Sequence, residues 1–181
     1  TRRARGAPLG GGESLHADSP GTKEPDGYPK GTMPRSEAWR KIWWGNRVKT
    51  IRVLSAAADL AFAAHITGDK RHAELSKRLL LEVAKWDPKG STGFKTNDEA
   101  AMPYAYWFAR TYTFLHGSLT KAERATCQKV LPVRGGDMYR HLAPGHLFQP
   151  YGRPHSRARH FLGAVGTPLV GAVAAAGAGL W

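Results

Sequence analysis

Four histidines, His141, His146, His155 and His160, crowd one stretch of this chain, and Arg153, Arg157 and Arg159 stand among them. Imidazole titrates near neutrality, so histidine is the usual side chain for taking or giving a proton. A guanidinium fork pairs bidentately with a carboxylate or a sulfate. Together these types suit proton transfer beside an anionic group. A metal site is the weaker reading, because no histidine pair at helical i,i+4 spacing occurs here and acidic ligands are missing nearby. Ordinary surface histidines on a solvated basic face are the plain alternative.

A second polar cluster is Asn97-Asp98-Glu99. Helix capping and the helix dipole account for Asn97 and Asp98. They do not account for Met102-Pro103-Tyr104, which follows at the start of an aromatic-rich run. Tyr104, Tyr106, Trp107, Phe108, Tyr112 and Phe114 provide more rings than one packing face needs. Most belong in a core; some are candidates to line a sugar cleft, where an aromatic face stacks on a pyranose. Walker loop, dinucleotide fingerprint, HExxH and G-x-S-x-G motifs are all absent.

The elements that must position these residues read as helices. Ser36 is a plausible N-cap for a short helix carrying Trp39, Ile42, Trp43 and Trp44, which Gly45-Asn46 should break. A main helix is then expected from about Arg47 to Thr67, with Val48, Ile51, Val53, Leu54, Ala57, Leu60 and Ala61 on its apolar stripe. Gly68 ends it, Asp69 caps the next helix, and the short link makes the two antiparallel neighbours. The second helix should span Lys70 to Trp86, before Pro88 and Gly90. A third should start near Asn97 or Asp98 and reach about His116. Thr120 and Glu123 form a capping box for a fourth, which Pro132 and Gly135-Gly136 should kink or break. A weak fifth pattern follows from about His155 to Val173. No strand hairpin signal occurs, so the expected class is all-α.

Composition bounds the partners. Lys and Arg number 27 against 14 Asp and Glu, a formal charge of +13, which favours nucleic acid, anionic lipid or an acidic glycan. No recognition helix or RNA module is visible, so a specific nucleic-acid role is not expected, and no run of about 18 apolar residues suggests a membrane span. The single cysteine, Cys127, lies in a helical pattern and reads as a small buried hydrophobe. Residues 1–33, rich in Gly, Pro and Ser, read as a disordered or loosely attached arm. Residues 34–181 read as one domain, and the chain as a fragment of a larger protein.

Several phrases, in order, resemble one family. They are Trp43-Trp44-Gly45-Asn46-Arg47, Thr67-Gly68-Asp69-Lys70, Leu80 through Pro88, Asn97 through Pro103, Phe108 through Tyr112, and Asp137 through Leu142. They are similar to the N-terminal domain of heparinase II/III-like polysaccharide lyases. The resemblance implies a partial (α/α) toroid built from antiparallel helix hairpins, a periplasmic or secreted location, and an acidic polysaccharide substrate of the heparin, heparan or alginate kind; no cofactor or metal is expected. It implies β-elimination: a base removes the C5 proton of a uronate whose carboxylate has been neutralised, and an acid protonates the leaving oxygen. Carried onto this sequence, His155 becomes the base or carboxylate neutraliser, and Arg157, Asn97, Glu99 and Tyr104 the substrate-binding residues. The chain departs from the pattern in its last loop, where Pro154 stands at the expected histidine position and His155 is displaced by one. A non-catalytic helical-repeat module that binds polyanions is the rival expectation.

Overall fold

A computed structural model describes residues 20–142 of the chain. Among them there are no strands. Four helices follow in order: α1 (Glu37–Thr67), α2 (Lys70–Val83), α3 (Asp98–Leu115) and α4 (Lys121–Leu142). The class is all-helical, as the periodicity predicts. The expected fifth helix, and with it His155 and Arg157, lies outside the described residues.

Local signals set most of the helix ends. The Ser36 side chain accepts the backbone N–H of Trp39, and Glu37 sits in the first turn, at the positive end of the dipole. Gly68, left-handed at φ 71°, closes α1 by donating its N–H to the Ala64 carbonyl. Asp69 then caps α2 by accepting the Arg71 N–H at 2.8 Å. The Arg71 guanidinium, and next that backbone bond, hold the Asp69 carboxyl down to about 2. The capping box before α4 is reciprocal: Thr120 N–H donates to Glu123 Oε2 at 2.7 Å, and Glu123 N–H to Thr120 Oγ1 at 3.2 Å.

Two expected interruptions are absent. α1 runs unbroken through Gly45-Asn46 for 31 residues. Asn46 is buried; its Nδ2 donates to the Asp26 carbonyl at 3.1 Å and its own carbonyl accepts the Thr50 hydroxyl at 2.7 Å. These contacts offset the low helix propensity of the pair. α4 likewise continues through Pro132 and Gly135-Gly136. Leu131, Arg134 and Met138, spaced as one helical face, are buried there and fix the segment. In contrast, α2 stops at Val83, short of the expected Trp86. Its last turn tightens, with Lys85 N–H reaching Glu82 O and Trp86 N–H reaching Val83 O, both at 3.1 Å.

The helices form two hairpins. α2 returns along α1, where the Ser76 hydroxyl donates to the Ala57 carbonyl at 2.6 Å. α3 runs parallel to α1: Asn97 meets Trp43 at one end, and Phe62 packs on Phe114, centroids 5.4 Å apart, at the other. α4 returns along α3, and Lys77 of α2 reaches Glu123 of α4 at 3.7 Å. The core between them includes Leu54, Leu80, Tyr104, Phe108, Leu115 and Leu131. Cys127 is fully buried, and burial with Glu123 nearby pushes its thiol up to about 12, as suits a packing residue.

At about 1.5 Å per residue α1 is roughly 46 Å long and α2 roughly 21 Å. The N-terminal half of α1 therefore overhangs its partner. The described part of the segment before residue 33 packs against it. Tyr28 stacks on Trp39 at 5.6 Å, Trp86 Nε1 donates to Thr22 O at 3.0 Å, and the Ser91 hydroxyl donates to Pro25 O. The loop between α2 and α3 turns repeatedly, with Gly90 N–H on Asp87 O and Gly93 N–H on Gly90 O. A Cβ at Gly93 would meet the Pro88 carbonyl oxygen at 2.3 Å, so only glycine fits.

Arg134 ties this loop to α4. It is 5% exposed; Nη1 donates to Thr92 O at 2.9 Å, Nη2 to Trp86 O at 3.0 Å, and its Cζ lies 3.7 Å from the Tyr104 ring centroid. Arg134→Met is expected to destabilise the fold by about 3 kcal/mol, by stranding two buried carbonyls and removing a cation–π contact. Arg134→Lys should recover little, because an ammonium lacks the fork. Urea unfolding followed by circular dichroism measures both. Gly45→Ala is expected to stabilise by roughly 0.5–1 kcal/mol, since it lies inside a helix with open space around it. The same unfolding curves check it.

Candidate functional site

The overhanging end of α1, the start of α3 and the Gly21–Tyr28 segment meet at one corner. Asn97 and Glu99 both stand there. Asn97 is the N-cap of α3; Oδ1 accepts the Ala100 N–H at 3.0 Å, and Nδ2 donates to the Trp43 carbonyl at 2.9 Å. One short side chain thus starts α3 and fastens it to α1. Glu99, two residues on, places Oε2 3.1 Å from Arg47 Nε. The Arg47 guanidinium in turn lies 5.5 Å from the Trp44 ring centroid.

Aromatic rings line the same corner. Trp39 stacks on Trp43 at 5.3 Å, and Trp43 meets Trp44 edge-on at 5.0 Å. With Tyr28 this makes a continuous row of four rings. Burial, and next the Asp98 carboxylate, push the Tyr28 phenol above its ordinary value. Tyr28 and Trp39 are half-buried, whereas Trp44 is 43% exposed.

The residues expected to bind substrate divide. Asn97 is 1% exposed and uses both ends of its amide internally. Tyr104 is fully buried; its hydroxyl donates to Val83 O at 2.6 Å, and its ring stacks on Phe108 at 5.5 Å. Burial pushes its phenol far up. Neither the Asn97 nor the Tyr104 side chain reaches solvent. Glu99, 5% exposed, acts on Arg47. His155 and Arg157 lie outside the described residues, so these five are not seen together. His65 and His116 sit near the far ends of α1 and α3, against Phe114 and Tyr112, and His72 lies in the first turn of α2, 4.0 Å from the Asp69 carboxylate.

Two residues escaped sequence reasoning. Arg47 carried a signal, since it follows Trp43 and Trp44 by one helical turn and a basic group beside exposed rings is a binding pattern. Arg134 carried none; it stands beside helix-breaking residues, and only distant carbonyls explain it. Among the described residues no group of three or more His, Cys, Asp or Glu is placed to hold a metal, and no helix is long and apolar enough to cross a membrane.

The arrangement can hold an anion against an exposed indole. Arg47 presents a charge whose position Glu99 fixes, over a ring that is 43% exposed. No protein-family model matches the chain, and no curated protein matches it.

A double-mutant cycle with Arg47→Met and Glu99→Gln tests how firmly the guanidinium is held. The Arg47 side chain is 37% exposed and that of Glu99 is 7% exposed. The coupling energy is expected to be about 0.5–1 kcal/mol, the range of a partly solvated pair, and to fall as salt is raised. Chemical denaturation of the four proteins measures it.

Proposed function

We propose that the chain is part of a polysaccharide lyase that cleaves uronic-acid-containing acidic glycans by β-elimination, and that its helix hairpins belong to a partial (α/α) toroid. The observation that carries this reading is the corner where Glu99 holds Arg47 beside the exposed Trp44, in a chain of net charge +13. A uronate offers both a ring to stack and a carboxylate to pair, and these two groups are what the corner accepts. The parallel placement of α1 and α3, with α2 and α4 returning beside them, suits a toroid in which successive hairpins repeat.

In this reading the roles are divided. The described residues hold the glycan: Trp44 takes a sugar face, Arg47 an anionic group, and Asn97 and Glu99 keep the two helices in register. The proton chemistry belongs to the last loop. His155 takes the C5 proton or neutralises the uronate carboxylate, and Arg157 pairs with that carboxylate. Neutralising the carboxylate is what makes the C5 proton removable, because the developing negative charge is then stabilised. Such an enzyme would act where acidic glycans are met, in the periplasm or outside the cell.

A second reading is a helical-repeat module that binds polyanions without cleaving them. It needs only the exposed Trp44 and the Arg47 charge that Glu99 holds beside it, with no proton transfer. One experiment separates the two. The full-length parent protein is incubated with heparin, heparan sulfate and alginate, and the absorbance of unsaturated uronate is followed. The lyase reading expects product with at least one glycan, and a loss of roughly a hundredfold or more in His155→Ala. Unchanged turnover in that variant would remove His155 from the mechanism. Salt-sensitive binding with no unsaturated product on any glycan would leave the binding module.

A further inference from the structure

α1 has a second face. At about 100° per residue, Arg40, Trp44, Arg47 and Val48 fall on one side of its N-terminal half, with Lys41 and Arg52 along one margin. The buried stripe of Thr50, Val53, Leu54, Ala57 and Ala61 lies on a different side. Trp44 is 43% exposed and Val48 59%, and Arg40, Lys41 and Arg52 are exposed as well. Between Arg35 and Arg52 the sequence has six basic residues and one acid, Glu37.

The strip is built rather than loose. Trp43 meets the Trp44 ring edge-on, and Arg47 lies over it. Arg47 is itself held through Nε by Glu99. An indole restrained in this way loses little freedom when a ligand stacks on it.

We propose that this strip is an extended glycan subsite, in which Trp44 stacks on one sugar ring while Arg40, Lys41, Arg47 and Arg52 pair with carboxylate or sulfate groups along the same chain. The proposal rests on the reading that the protein handles acidic glycans. From Arg40 to Arg52 the helix rises about 18 Å, enough to follow several sugars. Charge complementarity selects a polyanion: a second copy of the strip would set cations against cations. A membrane surface fits less well, because an interfacial helix keeps its apolar face apart from its basic flanks, and here the Arg47 guanidinium lies over the indole itself. Single-stranded nucleic acid needs successive ring faces. Tyr28, Trp39 and Trp43 stack on one another and leave Trp44 as the exposed ring of the row.

The test is binding of the full chain to heparin and alginate oligosaccharides, followed by calorimetry over a range of salt concentrations. Trp44→Ala is expected to weaken binding about tenfold. The pair Arg40→Gln, Lys41→Gln should weaken it by a similar factor and flatten the dependence of log Kd on log salt by between one and two. All the changed residues are exposed, and circular dichroism confirms that the helices persist. Unchanged affinity and salt dependence in both variants overturns the subsite, as does tighter binding of the wild type to phosphatidylserine vesicles or single-stranded DNA at matched salt. The two readings fail separately. Loss of binding in the variants, with no unsaturated product from any protein, keeps the subsite and removes the lyase. Product formed with unaltered binding keeps the lyase and removes the subsite.

Discussion

The structure turns on a buried arginine. Arg134 brings its charge into the interior, where burial lowers the pKa of the guanidinium. It remains there because its fork meets the Trp86 and Thr92 carbonyls and the Thr92 hydroxyl. Trp86 O and Thr92 O belong to a loop with no regular secondary structure, and such groups are costly when buried alone. The same guanidinium covers the Tyr104 ring, whose hydroxyl is fixed on Val83 O. One side chain thus joins α4, the loop, α3 and the end of α2. A buried cation is weak evidence for stability as such, since apolar packing often serves as well. Here its worth lies in directing a loop that has few other reasons to take one shape.

That loop in turn fixes the corner at which the functional reading is based. It ends at Asn97, which starts α3 and binds it to α1. The Gly21–Tyr28 segment arrives from the other side through Thr22, Pro25 and Asp26. Both pieces cover the part of α1 that α2 is too short to reach. Without them, Trp39, Trp43 and Asn46 would stand in water on an unsupported helix. Their presence leaves mainly the outward side of α1 uncovered there, and on that side basic groups alternate with Trp44 and Val48.

The polar residues of the corner form a hierarchy of depth. Asn97 is inside and fixes the backbone. Glu99 is nearly inside and fixes a side chain. Arg47 is half out and meets solvent. A guanidinium held by a buried carboxylate keeps its position while remaining a cation for a ligand, which a freely solvated lysine does not do. This ordering explains why a polar cluster that looks like a binding motif is occupied by internal bonds. The residue able to touch a ligand is the one that the cluster supports.

Short-range physics made much of this legible from sequence. Ser36, Gly68-Asp69, Asn97 and the Thr120–Glu123 box act within a few residues of themselves, so the helix ends they set could be read directly. The all-helical class followed from apolar spacing, and the burial of Cys127 from its place in that spacing. Tertiary structure alone decided the rest. Gly45-Asn46 and Pro132 stay helical because partners from elsewhere in the fold hold them, against their own propensities. Thr22 and Pro25 join the body through bonds to Trp86 and Ser91, more than 60 positions away. The inward turn of Asn97 and Tyr104, and the placing of Arg134, likewise depend on groups 21 to 54 residues distant. Local preference is written in adjacent residues, whereas burial and long-range hydrogen bonding exist only once the chain has brought distant ones together.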